Sequence, residues 1–154
     1  GVPFLHGGDE MLRTKLDDAA SREEAENSYN ASDEVNEIEW NWKTENHRVF
    51  QYYKDLIQLR KNHPGFRFSS HSQIENHVTI TNPARNVLVS KIDEDENGET
   101  DLIVVYNPAR SNPYEVSLPA GTWTKIFDAG GAVTKTGLSD SATCASTAIT
   151  VFEK

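Results

Sequence analysis

The spacing of apolar residues changes character twice along the chain. Residues 1–6, Gly-Val-Pro-Phe-Leu-His, form an apolar run that reads as a short buried strand, with Pro3 awkward for a central antiparallel ladder. Residues 7–43 follow no period and are rich in Asn, Asp, Glu and Ser. A polar stretch of that length is uncommon in a compact domain unless it serves a function, which makes it a candidate binding loop. Then a helical period takes over: Val49, Tyr53, Leu56, Ile57 and Arg60 share a face, with Phe50 and Tyr52 beside it. This predicts an amphipathic packing helix over 44–62, with Thr44 as its N-cap and Pro64-Gly65 as its stop. After Phe66 the period drops to two. The segments HVTIT, VLVSKID, DLIVVYN, YEVSLP, TWTKIFD and TAITVFEK alternate between Asn, Gly, Pro and Asp punctuation. The predicted architecture is mainly β, an antiparallel sandwich or barrel of roughly six to eight strands.

Charge sharpens this division. The 154 residues carry a formal net charge of -9, and residues 1–47 hold 12 acids against 4 bases, so almost all of the imbalance lies in the polar segment. Nucleic acid is excluded as a partner, since phosphate backbones need clustered Lys and Arg. Neutral polar ligands such as sugars, and cations, fit. No apolar run approaches the roughly 20 residues of a membrane span, so no membrane segment is expected. Residues 1–15 lack the basic n-region of a signal peptide. A lone cysteine, Cys144, forbids an intramolecular disulfide and a four-cysteine zinc site, and reads as a strand residue. The compartment stays open between cytoplasmic, periplasmic and secreted.

Chemical motifs are few. His6, His47, His63, His71 and His77 show no metal-ligand spacing, and solvent-facing or packing roles suit them. No GxSxG elbow occurs. The stretch DEDENGETD at 93–101 matches the early positions of a calcium loop, but Val104 stands where a bidentate Glu is required. Asn97-Gly98 between two strands instead predicts a hairpin. Asp9 and Glu10 invite a glycosidase reading, which needs two carboxyls facing one bond. Neighbours on a strand point to opposite faces, so a structural role is favoured: one carboxylate pairs with Arg13 or caps backbone amides, and the other faces the ligand side.

Three stretches, GVPFLHGGDEMLRTK, NSYNASDEVNEIEW and YYKDLIQLRKNHPGFR, resemble the end of the catalytic barrel in type I pullulanases, the α-1,6-debranching members of the α-amylase clan, glycoside hydrolase family 13. LIVVYNPA and SLPAGTWTKIFD are similar to the C-terminal β-sandwich of the same enzymes. The resemblance implies that residues 1–65 are strand 8, the following loop and helix 8 of a (β/α)8 barrel, and that 66–154 are the sandwich. It implies a piece of a larger enzyme that hydrolyses α-1,6 links with retention, and no catalytic residue in this stretch, since the three catalytic carboxylates of the family lie on earlier strands. It points to substrate contacts from Asp33 and Asn36 first, then Arg13, Asn27 and Tyr29. It implies no cofactor here and leaves room for calcium in the larger enzyme. The partner implied is an α-glucan. By the same likeness Trp40 and Trp42 pack the loop against the barrel, whereas Trp123 belongs to the sandwich core. Cut from a barrel, the helix over 44–62 would fold back on the sandwich or self-associate. Two alternatives stay open: another debranching or amylase-type enzyme of the clan, and a stand-alone carbohydrate-binding sandwich.

Overall fold

The computed structural model describes residues 2–154, and the chain divides into two compact units, residues 2–54 and 55–154. In the first unit, regular structure comes in single turns. A 3-10 turn, Asp9–Met11, is followed by three short helices: α1 (Arg22–Glu26), α2 (Asp33–Asn36) and α3 (Trp42–Glu45). Helix α1 starts where Ser21 accepts the Glu24 amide at 3.1 Å, while the Glu24 carboxylate reaches back to the Ala20 amide at 2.7 Å. That reciprocal capping satisfies amides a short helix cannot pair internally. Met11 and Val35 are the buried apolar anchors of this unit.

Residues 2–6 are not a buried strand. Val2 and Phe4 expose 95% and 93% of their surface, and no residue of the segment joins a ladder. Apolar character makes burial favourable, but a strand exists only where a neighbour supplies the opposing amides and carbonyls, and Pro3 contributes no N–H.

Helix α4 (His47–Asn62) runs across the boundary between the units. Thr44 is not its N-cap but an interior residue of α3. The break falls at Asn46, whose φ of -101° and ψ of 32° leave the helical region. Its side chain is spent on the Met11 carbonyl at 2.8 Å. At the far end the chain stops at Pro64, as predicted, and turns through a 3-10 segment, Pro64–Arg67, into α5 (His71–His77).

The second unit is built on a six-stranded antiparallel sheet. Its strands are β1 (Val78–Ala84), β2 (Val87–Ile92), β3 (Leu102–Asn107), β5 (Trp123–Asp128), β6 (Gly131–Leu138) and β8 (Ala148–Glu153), in the order β1-β2-β3-β8-β5-β6. Strands β4 (Tyr114–Ser117) and β7 (Ser141–Cys144) form a two-stranded sheet. The core holds Val89, Ile103, Val105, Trp123 and Phe152 from the large sheet with Val116, Ala142 and Cys144 from the small one. Each large apolar side chain so buried contributes about 1.5–3 kcal/mol. This is the expected β-sandwich, with Trp123 and Cys144 in its core.

Strand β3 is buried on both faces because its opposite side, with Val104 and Tyr106, joins Ile149 and Val151 of β8 and Leu56, Leu59 and Phe66 around an apolar groove of about 240 Å³. Ile57 does not line that groove and is half exposed; at 100° per residue it stands a quarter-turn round the helix from Leu56, beyond Arg60. The hairpin expected around Asn97-Gly98 is present, with a longer connection than two residues. Strands β2 and β3 pair as a hairpin, but the connection runs over 93–101, where the Asp93 carboxylate accepts the Asn97 and Gly98 amides at 2.9 and 2.8 Å.

Candidate functional site

The polar segment 7–43 is organised by long side chains that return to distant backbone. Gly8 has φ of 99°, and a Cβ there would lie 2.6 Å from Arg13 Cβ and Cδ, so only glycine lets Arg13 fold back over the turn. The two acids that follow are consumed locally. Asp9 accepts the His6 amide at 3.0 Å and Glu10 accepts the Gly8 amide at 3.2 Å. They stand on a 3-10 turn rather than a strand, both cap amides, and neither pairs with Arg13 among the described residues.

Arg13 ties the first motif to the second. Its Nε donates to the Glu37 carbonyl at 3.2 Å, Nη2 to the Asn36 carbonyl, and Nη1 to the Gly7 carbonyl at 3.5 Å. Two residues on, Lys15 Nζ donates to Ser28 Oγ and to Asn36 Oδ1, the latter at 2.9 Å. Asn36 is the hub. Its Oδ1 also accepts from the Ser28 hydroxyl at 2.8 Å, while Nδ2 donates to the Ser28 carbonyl at 2.8 Å and to the Ala31 and Ser32 carbonyls at 3.3 Å. Every donor and acceptor of the amide is engaged, so the loop from Ser28 to Asn36 is closed by one side chain.

Of the residues singled out from sequence, Arg13 and Asn36 therefore meet in this knot, and Asp33, Asn27 and Tyr29 stand outside it. Asp33 opens α2 with an exposed side chain, its carbonyl accepting the Glu37 amide at 2.7 Å. Asn27 is the exposed C-cap of α1, and Tyr29 exposes 84% of its surface. Trp40 is exposed as well, at 70%. Lys15 and Ser28 are the residues that sequence reasoning missed. Their only signal is a place inside the RTK and NSYN stretches. Beside the knot lies a cavity of about 440 Å³ walled by Arg13, Thr14, Lys15, Arg22, Glu26 and Ser28, among others. Among the described residues no group of three or more His, Cys, Asp or Glu is placed to hold a metal ion.

No family model matches the chain. It is 34% identical over 120 residues to the pullulanase of Bacillus subtilis strain 168, a match covering 77% of this chain and 16% of that protein. It is 34% identical over 70 residues to the isoamylase of Pseudomonas amyloderamosa, covering 46% of this chain and 8% of the relative. Among solved structures, the pullulanase of Bacillus acidopullulyticus superposes with a TM-score of 0.85 at 31% identity, covering all of this chain and 18% of the other. The type I pullulanase of B. subtilis complexed with maltose superposes with a TM-score of 0.80 at 27% identity, covering 99% and 21%. The chain thus spans less than a quarter of the length of each of these relatives. With likeness in sequence over most of its residues and in fold over all of them, the chain belongs to the pullulanase family.

Proposed function

We propose that this chain is the substrate-loop and β-sandwich portion of a glycoside hydrolase that cleaves α-1,6 links in pullulan or branched dextrins, residues 1–65 acting as the last β/α unit of its barrel and 66–154 as its sandwich. The observation that carries this reading is the Arg13–Lys15–Ser28–Asn36 knot, which fixes a polar loop whose outer residues are Asp33, Asn27 and Tyr29. Carboxylate and amide groups accept from and donate to vicinal sugar hydroxyls, and an exposed phenol ring covers the apolar face of a pyranose. Asn36 and Arg13 contribute chiefly by holding that surface, with spare guanidinium protons available to a hydroxyl. Pullulanases similar to this chain have been solved with maltose and with maltotetraose, which supports an α-glucan as the ligand.

Hydrolysis with retention would proceed through a glycosyl-enzyme intermediate formed on carboxylates supplied by other barrel strands. Asp9 and Glu10, each occupied with a backbone amide, offer no such pair, so the 154 residues alone bind without turning over. Isothermal titration with maltotetraose tests the reading. Saturable binding weakened by Asp33→Ala and Tyr29→Ala, with no reducing ends released from pullulan, is expected; turnover by this chain alone, or binding indifferent to both substitutions, overturns it. A stand-alone sandwich module is disfavoured because Trp123 is fully buried and offers no stacking platform. Self-association through 44–62, where Ile57 is half exposed, would show as a concentration-dependent mass that Ile57→Glu abolishes.

A further inference from the structure

The bases of the acidic segment are not scattered. Residues 1–47 contain four, Arg13, Lys15, Arg22 and Lys43, against 12 acids, and three of the four line the 440 Å³ cavity together with a single carboxylate, Glu26. Arg22 is matched by that carboxylate at 2.7 Å, on the exposed side. Arg13 and Lys15 are not matched. Their acceptors are uncharged, namely the Gly7, Asn36 and Glu37 carbonyls, the Ser28 hydroxyl and the Asn36 amide oxygen. Among the described residues no carboxylate forms an ion pair with either. In a segment with three times as many acids as bases, this arrangement leaves two positive charges facing an open cavity.

Unspent donors point the same way. An ammonium carries three N–H groups and a guanidinium five; Lys15 spends two and Arg13 three on the loop. Thr14 Oγ1 accepts the Leu16 amide at 3.1 Å, leaving its hydroxyl hydrogen to donate. A neutral sugar hydroxyl accepts from such donors but leaves their charge uncompensated. A phosphate monoester carries about -1.5 to -2 at neutral pH and three acceptor oxygens, which balances two cations and suits a guanidinium fork. The volume lies at the lower end of the roughly 300–1,000 Å³ of small-molecule sites, the scale of one hexose with its phosphate.

We propose that this cavity is an anion subsite taking a phosphate monoester carried on a sugar. It goes beyond the glucan-binding reading and stands or falls separately, because inorganic phosphate probes it without any glucan contact. The test is a two-dimensional amide NMR titration of the chain at low ionic strength with inorganic phosphate, glucose 6-phosphate and maltotriose. Saturable shifts centred on 14–16 and 22–26, the cavity wall outside the residues assigned to the glucan, are expected with both phosphates, tighter for glucose 6-phosphate. The exposed Arg22→Gln substitution, which carries little folding risk, weakens both by about fivefold, and Lys15→Gln weakens them further. Linear shifts reproduced by chloride at equal ionic strength, or affinities unchanged in Arg22→Gln, overturn the proposal. Inorganic phosphate binding as tightly as the sugar phosphate overturns the assignment to a sugar-borne group. Maltotriose shifting the same amides as strongly overturns the anion itself.

Discussion

Replacing Asn36 by Ala removes the side chain on which the loop from Ser28 to Asn36 closes. Three of its bonds are short: Ser28 Oγ and Lys15 Nζ to Oδ1 at 2.8 and 2.9 Å, and Nδ2 to the Ser28 carbonyl at 2.8 Å. A net hydrogen bond contributes about 0.5–1.5 kcal/mol, and a buried group left unpaired costs about 1–3 kcal/mol. Ser28 is buried while the loop around it is largely open to water, so only its hydroxyl and carbonyl incur the full penalty. The expected loss is then about 2–4 kcal/mol of local loop stability, which lowers amide protection by about 30- to 1,000-fold. Hydrogen exchange reads this at the Ala31, Asn36 and Glu37 amides, which bond to the Ser28, Ser32 and Asp33 carbonyls. Amides of β3 and β8 report on the sandwich and should keep their protection. Asn36→Asp discriminates further: it retains both acceptor contacts but sets a carboxylate against the Ser28 and Ala31 carbonyls, so it loses protection although its charge opposes Lys15. Unchanged protection at Ala31 and Glu37 in Asn36→Ala would refute the closing role of this side chain.

Gly8→Ala forces a left-handed φ of 99° on a residue with a Cβ and drives that atom into Arg13; a cost of about 1–2 kcal/mol from the backbone alone, with loss of the Arg13 bonds to the 36–37 carbonyls, is expected from hydrogen exchange of this segment. Trp123→Ala, at a fully buried site with its indole N–H donating to the Pro119 carbonyl at 2.8 Å, should destabilise the sandwich by about 3–5 kcal/mol in urea unfolding. Burial at Asp93 opposes ionisation, but the His77 side chain and the Gly98 and Asn97 amides outweigh it and hold its pKa below the ordinary carboxylate value. A depressed native pKa stabilises the fold above the unfolded value and loses that contribution as pH falls through the native one. Acid unfolding followed by fluorescence should therefore show a less steep loss of stability below about pH 4 in Asp93→Asn.

What was legible in the sequence divides along physical lines. The core position of Trp123 was found through resemblance, whereas strand β3 was readable because its unbroken run of Leu, Ile and Val, bounded by Asp and Asn, marks a strand buried on both faces. Strand β6 was not, because GAVTKTGL is almost wholly exposed and holds its place through irregular pairing with β5, a property of its partner rather than of its own residues. The apolar run 2–6 failed in the opposite direction: its composition expresses a preference for burial without supplying a ladder. In the site, Arg13 and Asn36 were found through resemblance, whereas Lys15 and Ser28 were missed because their bonds join residues 13 and 21 positions apart, a range at which no local pattern operates. Those same bonds explain why the loop is ordered at all. With so many acids and few apolar anchors, segment 7–43 buries too little surface to offset the entropy of fixing it. Its order rests on cations drawn inward onto neutral oxygens. A loop fixed in this way exposes its carboxylates and phenol outward and keeps unmatched positive charge behind them, so one set of bonds both shapes the surface assigned to the glucan and charges the cavity assigned to phosphate.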